Sequence, residues 1–160
     1  MLRSMAEPRH LLIVAHTPTD NTRALTAAVR RGAAHPDVDG VTTRLVAPLA
    51  AGETEVLWAD AIILGTPANF GYMSGALKDF FDRIYDPCLD KTARLPYALF
   101  IRGKTDATGA LTSIDKVVGG LNWRRVAEPL LVVGELTTQH VAACEELGMT
   151  MAAGLEARIF

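Results

Sequence analysis

The sequence predicts a doubly wound α/β domain, with a five-stranded parallel sheet in the order 2-1-3-4-5 and helices on both faces. Three observations carry this expectation. Short apolar runs at residues 11–15, 61–64, 97–101 and 130–133 are continuous rather than alternating, as in strands covered on both faces. Segments with helical spacing lie between them. The strict alternation of the two kinds implies right-handed crossovers and one parallel sheet.

Taken in order, residues 1–9 precede the first apolar run and read as a flexible N-terminal extension of a single domain spanning 1–160. A helix is expected over residues 22–31, with Leu25, Ala28 and Val29 on one face and Gly32 placed to stop it. Val41–Val46 alternates, which fits a less buried edge strand, and Glu53–Trp58 leaves room only for a short helix. Residues 74–85 carry Leu77, Phe80, Phe81 and Ile84 at i, i+3, i+4, i+7. Residues 110–121 repeat the pattern with Leu111, Ile114, Val117 and Val118, ending at Gly119 and Gly120. Pro129 suits the start of a fifth strand only at a sheet edge. Thr137 and Thr138 are candidate N-caps for a last helix carrying Val141, Ala142, Cys144 and Leu147.

Composition narrows the function classes. A net charge of −2 supplies no basic face, which argues against general nucleic-acid binding and against attraction to acidic membranes. No run approaches the roughly 20 apolar residues of a membrane span, and the first run is too short for a signal-peptide core. Cys88 and Cys144 stand far apart, and the four histidines show no ligand spacing with them, so no metal is expected. Reduced, partly buried thiols fit a cytoplasmic protein.

In such a sheet the ligand crevice lies at the C-terminal ends of strands one and three, so the loops there are the ones to read. After the first run comes His16-Thr17-Pro18-Thr19-Asp20-Asn21-Thr22, leading into a helix. Hydroxyls and an amide cluster where free backbone N–H groups and the helix dipole favour an anion; N-capping alone also accounts for such residues. The loop resembles the T-x-T-G-N-T phosphate loop of the flavodoxin family, with Thr17, Thr19, Asn21 and Thr22 on the matching positions. The resemblance implies a loop that holds the phosphate of FMN without a basic side chain. Asp20 departs from it, standing where the family often has glycine, and its carboxylate must turn outward to avoid repelling that phosphate.

After the third run comes Gly65-Thr66-Pro67-Ala68-Asn69-Phe70-Gly71-Tyr72-Met73-Ser74-Gly75, followed by Ala76-Leu77-Lys78-Asp79-Phe80-Phe81-Asp82. This is similar to the G-T-P-x-x-F-G segment of flavin-dependent NAD(P)H:quinone reductases and related NADPH-dependent FMN reductases. It reads as a long β-to-α loop. Pro67 holds Thr66 extended, and Gly71 allows a close backbone approach to a flat ring. The resemblance implies that Ala68, Asn69 and Phe70 contact the isoalloxazine, with Pro67 and Gly71 shaping the loop. Lys78, Asp82 and Arg83 read as a solvated helix face.

The third loop, residues 102–109, is polar and has no aromatic residue. Its position matches the family's third flavin loop, though its residues match loosely. Arg102, Gly103 and Lys104 are the candidates there: cations beside the pyrimidine edge would stabilise a reduced anionic flavin, and they serve equally as surface charges. Balanced charge and the missing aromatic favour an FMN oxidoreductase over an electron-carrier flavodoxin. Such an enzyme uses NAD(P)H to reduce a quinone-like or other small acceptor, and no side chain is assigned a catalytic role. The alternatives are a flavodoxin-type electron-transfer protein and a flavodoxin-like binding module without cofactor. The resemblance also implies a homodimer or homotetramer, with the segment 86–95 longer than a tight connection needs.

Overall fold

The computed structural model describes residues 7–160. Its elements run β1 (Arg9–Ala15), α1 (Asp20–Ala33), β2 (Val41–Val46), α2 (Glu53–Trp58), β3 (Ala61–Asn69), β4 (Tyr72–Met73), α3 (Gly75–Cys88), β5 (Pro96–Gly103), α4 (Thr108–Gly120), β6 (Arg124–Arg125), β7 (Leu130–Val133) and α5 (Thr138–Glu156). Every apolar run of the sequence lies within a strand.

Because successive strand residues face opposite ways, each parallel strand feeds two cores. Leu12, Val14, Ile62, Leu64, Leu99 and Ile101 pack under α2, α3 and α4 through Val56, Leu77, Phe80, Phe81, Ile84, Ile114 and Val118. Leu11, Ile13, Ile63, Ala98 and Phe100 pack under α1 and α5 through Leu25, Val29, Leu147, Met151 and Leu155. Both faces are therefore sealed, which is why these runs are apolar without a break.

The parallel strands lie in the order β2-β1-β3-β5, with β6 and β7 both pairing β5 on its far side. The expected order 2-1-3-4-5 holds when β6 and β7 are taken as one broken strand. The sheet has seven strands rather than five. Pro129 lies in the break, just before β7, where its missing N–H costs no ladder bond. β2 is the opposite edge, as its alternating pattern predicts.

Two local expectations need correction. Residues 1–6 lie outside the described residues, but Arg9 is not part of an extension. It opens β1 and pairs with Val41, its Nε lies 3.5 Å from Asp60, and its Nη2 donates to the carbonyl of Phe160 at 3.2 Å. Gly32 does not stop α1 either, since the helix runs on to Ala33 and is capped by Ala34. A Cβ on Gly32 would meet the Glu145 carbonyl oxygen at 1.8 Å, and one on Gly148 would meet that of Val29 at 1.9 Å. The two glycines let α1 and α5 touch backbone to backbone.

Candidate functional site

The two loops that matter leave neighbouring strands. Ala15 pairs with Gly65, and the amide of His16 donates to the Gly65 carbonyl at 3.0 Å, so the ladder ends where the first loop begins. β3 continues four residues further, through Thr66, Pro67, Ala68 and Asn69. At about 3.3 Å per residue it rises some 13 Å above the end of β1. The result is a ledge beside the first loop.

The first loop ends in a capping box. Thr19 is the N-cap of α1, and its hydroxyl accepts from the Thr22 amide at 3.2 Å. The Thr19 amide donates to Thr22 Oγ1 at 3.0 Å, and Thr22 Oγ1 donates to the Thr19 carbonyl at 3.0 Å. Thr22 is thus buried beneath the loop, while Thr19, Asp20 and Asn21 are exposed on it. α1 starts two residues before the sequence pattern suggests, because Asp20 and Asn21 are polar and invisible to an apolar period. Among the described residues, the backbone N–H groups of Thr17, Asp20 and Asn21 and the Thr17 hydroxyl have no acceptor or donor assigned within the chain. These are neutral donors at the positive end of a 14-residue helix, a set that fits a phosphate group.

Asp20 does turn outward. Its side chain is 98% exposed and pairs with Arg23 one turn along α1. Arg23 Nη1 also lies 3.5 Å from the Thr17 carbonyl oxygen. His16, at the root of the loop, is half-buried; burial pushes its imidazole below the ordinary histidine pKa, and its buried Nδ1 has no partner among the described residues.

The second segment is not a long loop. β3 folds back through Phe70 and Gly71 onto β4, pairing Asn69 with Tyr72 and Ala68 with Met73 antiparallel. Both turn residues have positive φ, 51° at Phe70 and 71° at Gly71, as in a two-residue type I′ hairpin. Gly71 adopts this freely; Phe70 does so against its steric preference, with a side chain 107% exposed at the tip. Pro67 is buried, Ala68 half-buried and Asn69 exposed along the rising strand.

The hairpin is anchored at its base and along its side. Thr66 Oγ1 donates to the Pro67 carbonyl at 2.8 Å and accepts from the Ser74 amide at 3.0 Å. The Met73 amide donates to Ser113 Oγ of α4 at 3.1 Å. A Cβ on Gly109 would meet the Gly71 carbonyl oxygen at 2.2 Å, so only glycine lets α4 approach the turn. Ser113 and Gly109 were not candidates from sequence, since a serine and a glycine in a helix carry no pattern of their own.

Arg102 pairs with Pro67 and Val132, and its guanidinium donates to the carbonyls of Gly103 and Val132. It ties the ends of β5 and β7 together. Gly103 is buried at the strand end and Lys104 is exposed in the turn. Asp106 accepts from the amides of Ala107 and Thr108 and from the Thr108 hydroxyl; the Thr108 bonds hold its carboxyl below the usual range. Among the described residues no cluster of three or more metal-ligating side chains occurs, and no helix is long and apolar enough to cross a membrane.

The doubly wound sheet, with a hydroxyl-rich helix start and a glycine-turned hairpin at its switch point, is a flavodoxin-like fold. Residues 36–133 match the family described as NADPH-dependent FMN reductase, and the chain belongs to that family. Membership points to FMN as the cofactor, and to a flavin-binding oxidoreductase or electron-transfer flavoprotein. A flavodoxin of Aquifex aeolicus (strain VF5) is 35% identical over 74 residues, 46% of this chain and 39% of that relative's length. Among solved structures, a flavodoxin from the domain Archaea superposes with a TM-score of 0.77 at 18% identity, over 91% of this chain and 98% of that one. A WrbA-like flavodoxin from Agrobacterium tumefaciens gives 0.73 at 17% identity, over 95% and 99%. The Megasphaera elsdenii flavodoxin in its two-electron reduced form gives 0.73 at 19%, over 89% and 98%. The matched segment 36–133 includes the hairpin but not the first loop.

Proposed function

We propose that the chain is an FMN-dependent oxidoreductase that takes reducing equivalents from NAD(P)H and passes them to a quinone-like or other small acceptor. The reading rests on one observation above all. The hairpin offers an anchored ledge and one fully exposed aromatic, Phe70, while the segment 102–109, which spans the end of β5 and the start of α4, has no aromatic to cover a flat ring. In this reading Thr17, Thr19, Asn21 and the free amides at the start of α1 hold the phosphate. The backbone of Ala68, Asn69 and Phe70 orients the ring, with Pro67 and Gly71 setting the shape of the ledge. Thr22 acts from below by holding Thr19 in its cap, and Arg102 acts by fixing the strand ends on which Gly103 and Lys104 sit. Bound FMN supplies the hydride and one-electron chemistry that these side chains lack. A second copy of the chain beside the pocket, as a homodimer or homotetramer, completes the reading.

The test is anaerobic. NADH or NADPH should bleach the flavin of the FMN-loaded protein, and a quinone should restore its colour, with parallel double-reciprocal lines in steady state. Tightly bound FMN that neither nicotinamide reduces would replace this reading with that of an electron carrier reduced by a partner protein. Absence of FMN binding would favour a binding module. Light scattering of the loaded protein at micromolar concentration reads the assembly, and a monomer mass would remove that part of the proposal.

A further inference from the structure

His16 stands where the two segments of the site part. Its amide donates to the Gly65 carbonyl at 3.0 Å, so Thr17 and the start of α1 follow on one side and the ledge of Pro67–Phe70 rises on the other. Along β1, Val14 packs toward α2, α3 and α4, and Ala15 toward α1 and α5. The alternation therefore puts His16 on the face away from α1. Thr66, the residue after Gly65 on β3, has its hydroxyl already engaged by the Pro67 carbonyl and the Ser74 amide. Among the described residues, Nδ1 of His16 is buried without a partner, while Nε2 is unbonded and open to solvent. A buried acceptor without a donor is tolerated more readily than a buried N–H without an acceptor. The ring proton therefore sits on Nε2. A second proton would go onto Nδ1, where there is no acceptor, and burial lowers the pKa of the imidazole in the same sense. His16 is thus held as a neutral ring with a single N–H donor on its open side.

We propose that His16 donates its Nε2–H to a hydroxyl of the ribityl chain of FMN, the neutral polyol that joins the phosphate to the ring. This rests on the reading that FMN spans the two segments, and it adds a residue that neither loop resemblance covers. A phosphate at the start of α1 and a ring along Ala68–Phe70 must be joined across the point where β1 ends, and His16 stands at that point. The orphaned nitrogen also selects the partner. A phosphate dianion beside the ring would draw on a second proton and leave Nδ1–H buried without an acceptor. A hydroxyl accepts from the neutral ring and needs no change of charge.

The experiment compares FMN and riboflavin affinity, by quenching of flavin fluorescence, in the wild type, His16→Ala and His16→Gln. Loss of one neutral hydrogen bond in His16→Ala should weaken both flavins alike, by about 3- to 10-fold. His16→Gln carries side-chain N–H donors at a reach similar to that of Nε2 and should keep most of the affinity. A residue that only packs would lose as much with glutamine as with alanine. Heteronuclear NMR of the ring, assigned by its absence from His16→Gln, should show the Nε2–H tautomer both before and after riboflavin binds. The Nε2–H proton should exchange more slowly in the complex. The proposal is overturned if His16→Ala binds both flavins like the wild type, if FMN loses affinity and riboflavin does not, or if glutamine fails to restore binding. A ring that becomes doubly protonated with FMN at neutral pH overturns it too, since the partner is then the phosphate. A wild-type protein that binds riboflavin as tightly as FMN removes the phosphate-loop reading but not the role of His16, which riboflavin alone reads. Binding of neither flavin removes both.

Discussion

The amide of Met73 donates to Ser113 Oγ at 3.1 Å, and the same hydroxyl donates onward to the Ala110 carbonyl at 2.7 Å. Both residues are buried, so one hydroxyl fastens the hairpin of β3 and β4 to the first turn and a half of α4. A strand amide with no sheet partner on that side is satisfied by a helix that belongs to the next βα unit.

Ser113→Ala leaves the Met73 amide buried without an acceptor, which costs about 1–3 kcal/mol. The expected result is a lower urea midpoint and faster hydrogen exchange at Met73 and Tyr72. FMN affinity should fall as well, because the ledge loses its lateral anchor. An unchanged midpoint would show that the amide finds another acceptor.

Phe70 holds a left-handed backbone with φ 51° and contributes no buried side-chain surface. Phe70→Gly should relieve about 1 kcal/mol of strain, a positive-φ cost that glycine does not carry. Stability measured by chemical denaturation should rise or stay level, while acceptor KM rises. A stability loss would mean that the aromatic is covered in the protein as it exists in solution.

Removing the cap tests the first loop. Thr19→Ala deletes the acceptor for the Thr22 amide and should cost about 1 kcal/mol of stability. FMN affinity should fall further than riboflavin affinity, since the loop that gathers the free amides depends on this cap. Isothermal titration with both flavins separates the two effects.

Burial raises the Cys144 thiol from its ordinary value of 9.0 to about 12 and raises Cys88 in the same direction. The folded chain keeps these protons while the unfolded chain gives them up, so unfolding releases protons above pH 9. Stability should therefore be level in this respect below pH 9 and should fall as pH rises from 9 toward 12. Urea midpoints at pH 8 and pH 10.5 read the slope, and Cys144→Ala should flatten it. At pH 8 neither thiol should react with a maleimide until the protein unfolds.

The sequence by itself determined the layout. Short unbroken runs such as those of β1 and β3 fit strands covered on both faces, and the i, i+3, i+4, i+7 spacing of Leu77, Phe80, Phe81 and Ile84 fits one face of a helix. Hydroxyls clustered before α1 and the proline–glycine frame around Phe70 marked the two loops at the switch point, because these residue types act on their own local backbone. Tertiary structure decided what depends on distant partners. Gly32 reads locally as a helix stop but serves the contact with Glu145 of α5, and residues 65–75 read as a loop but fold into a hairpin held by Ser113 of α4. Arg102 reads as a free cation, yet its donors go to the carbonyls of Gly103 and Val132, the latter 30 residues away. Local pattern records what a residue does to its own backbone. Close approach, anchoring and the fate of a charge are set by groups the folding chain brings in from elsewhere.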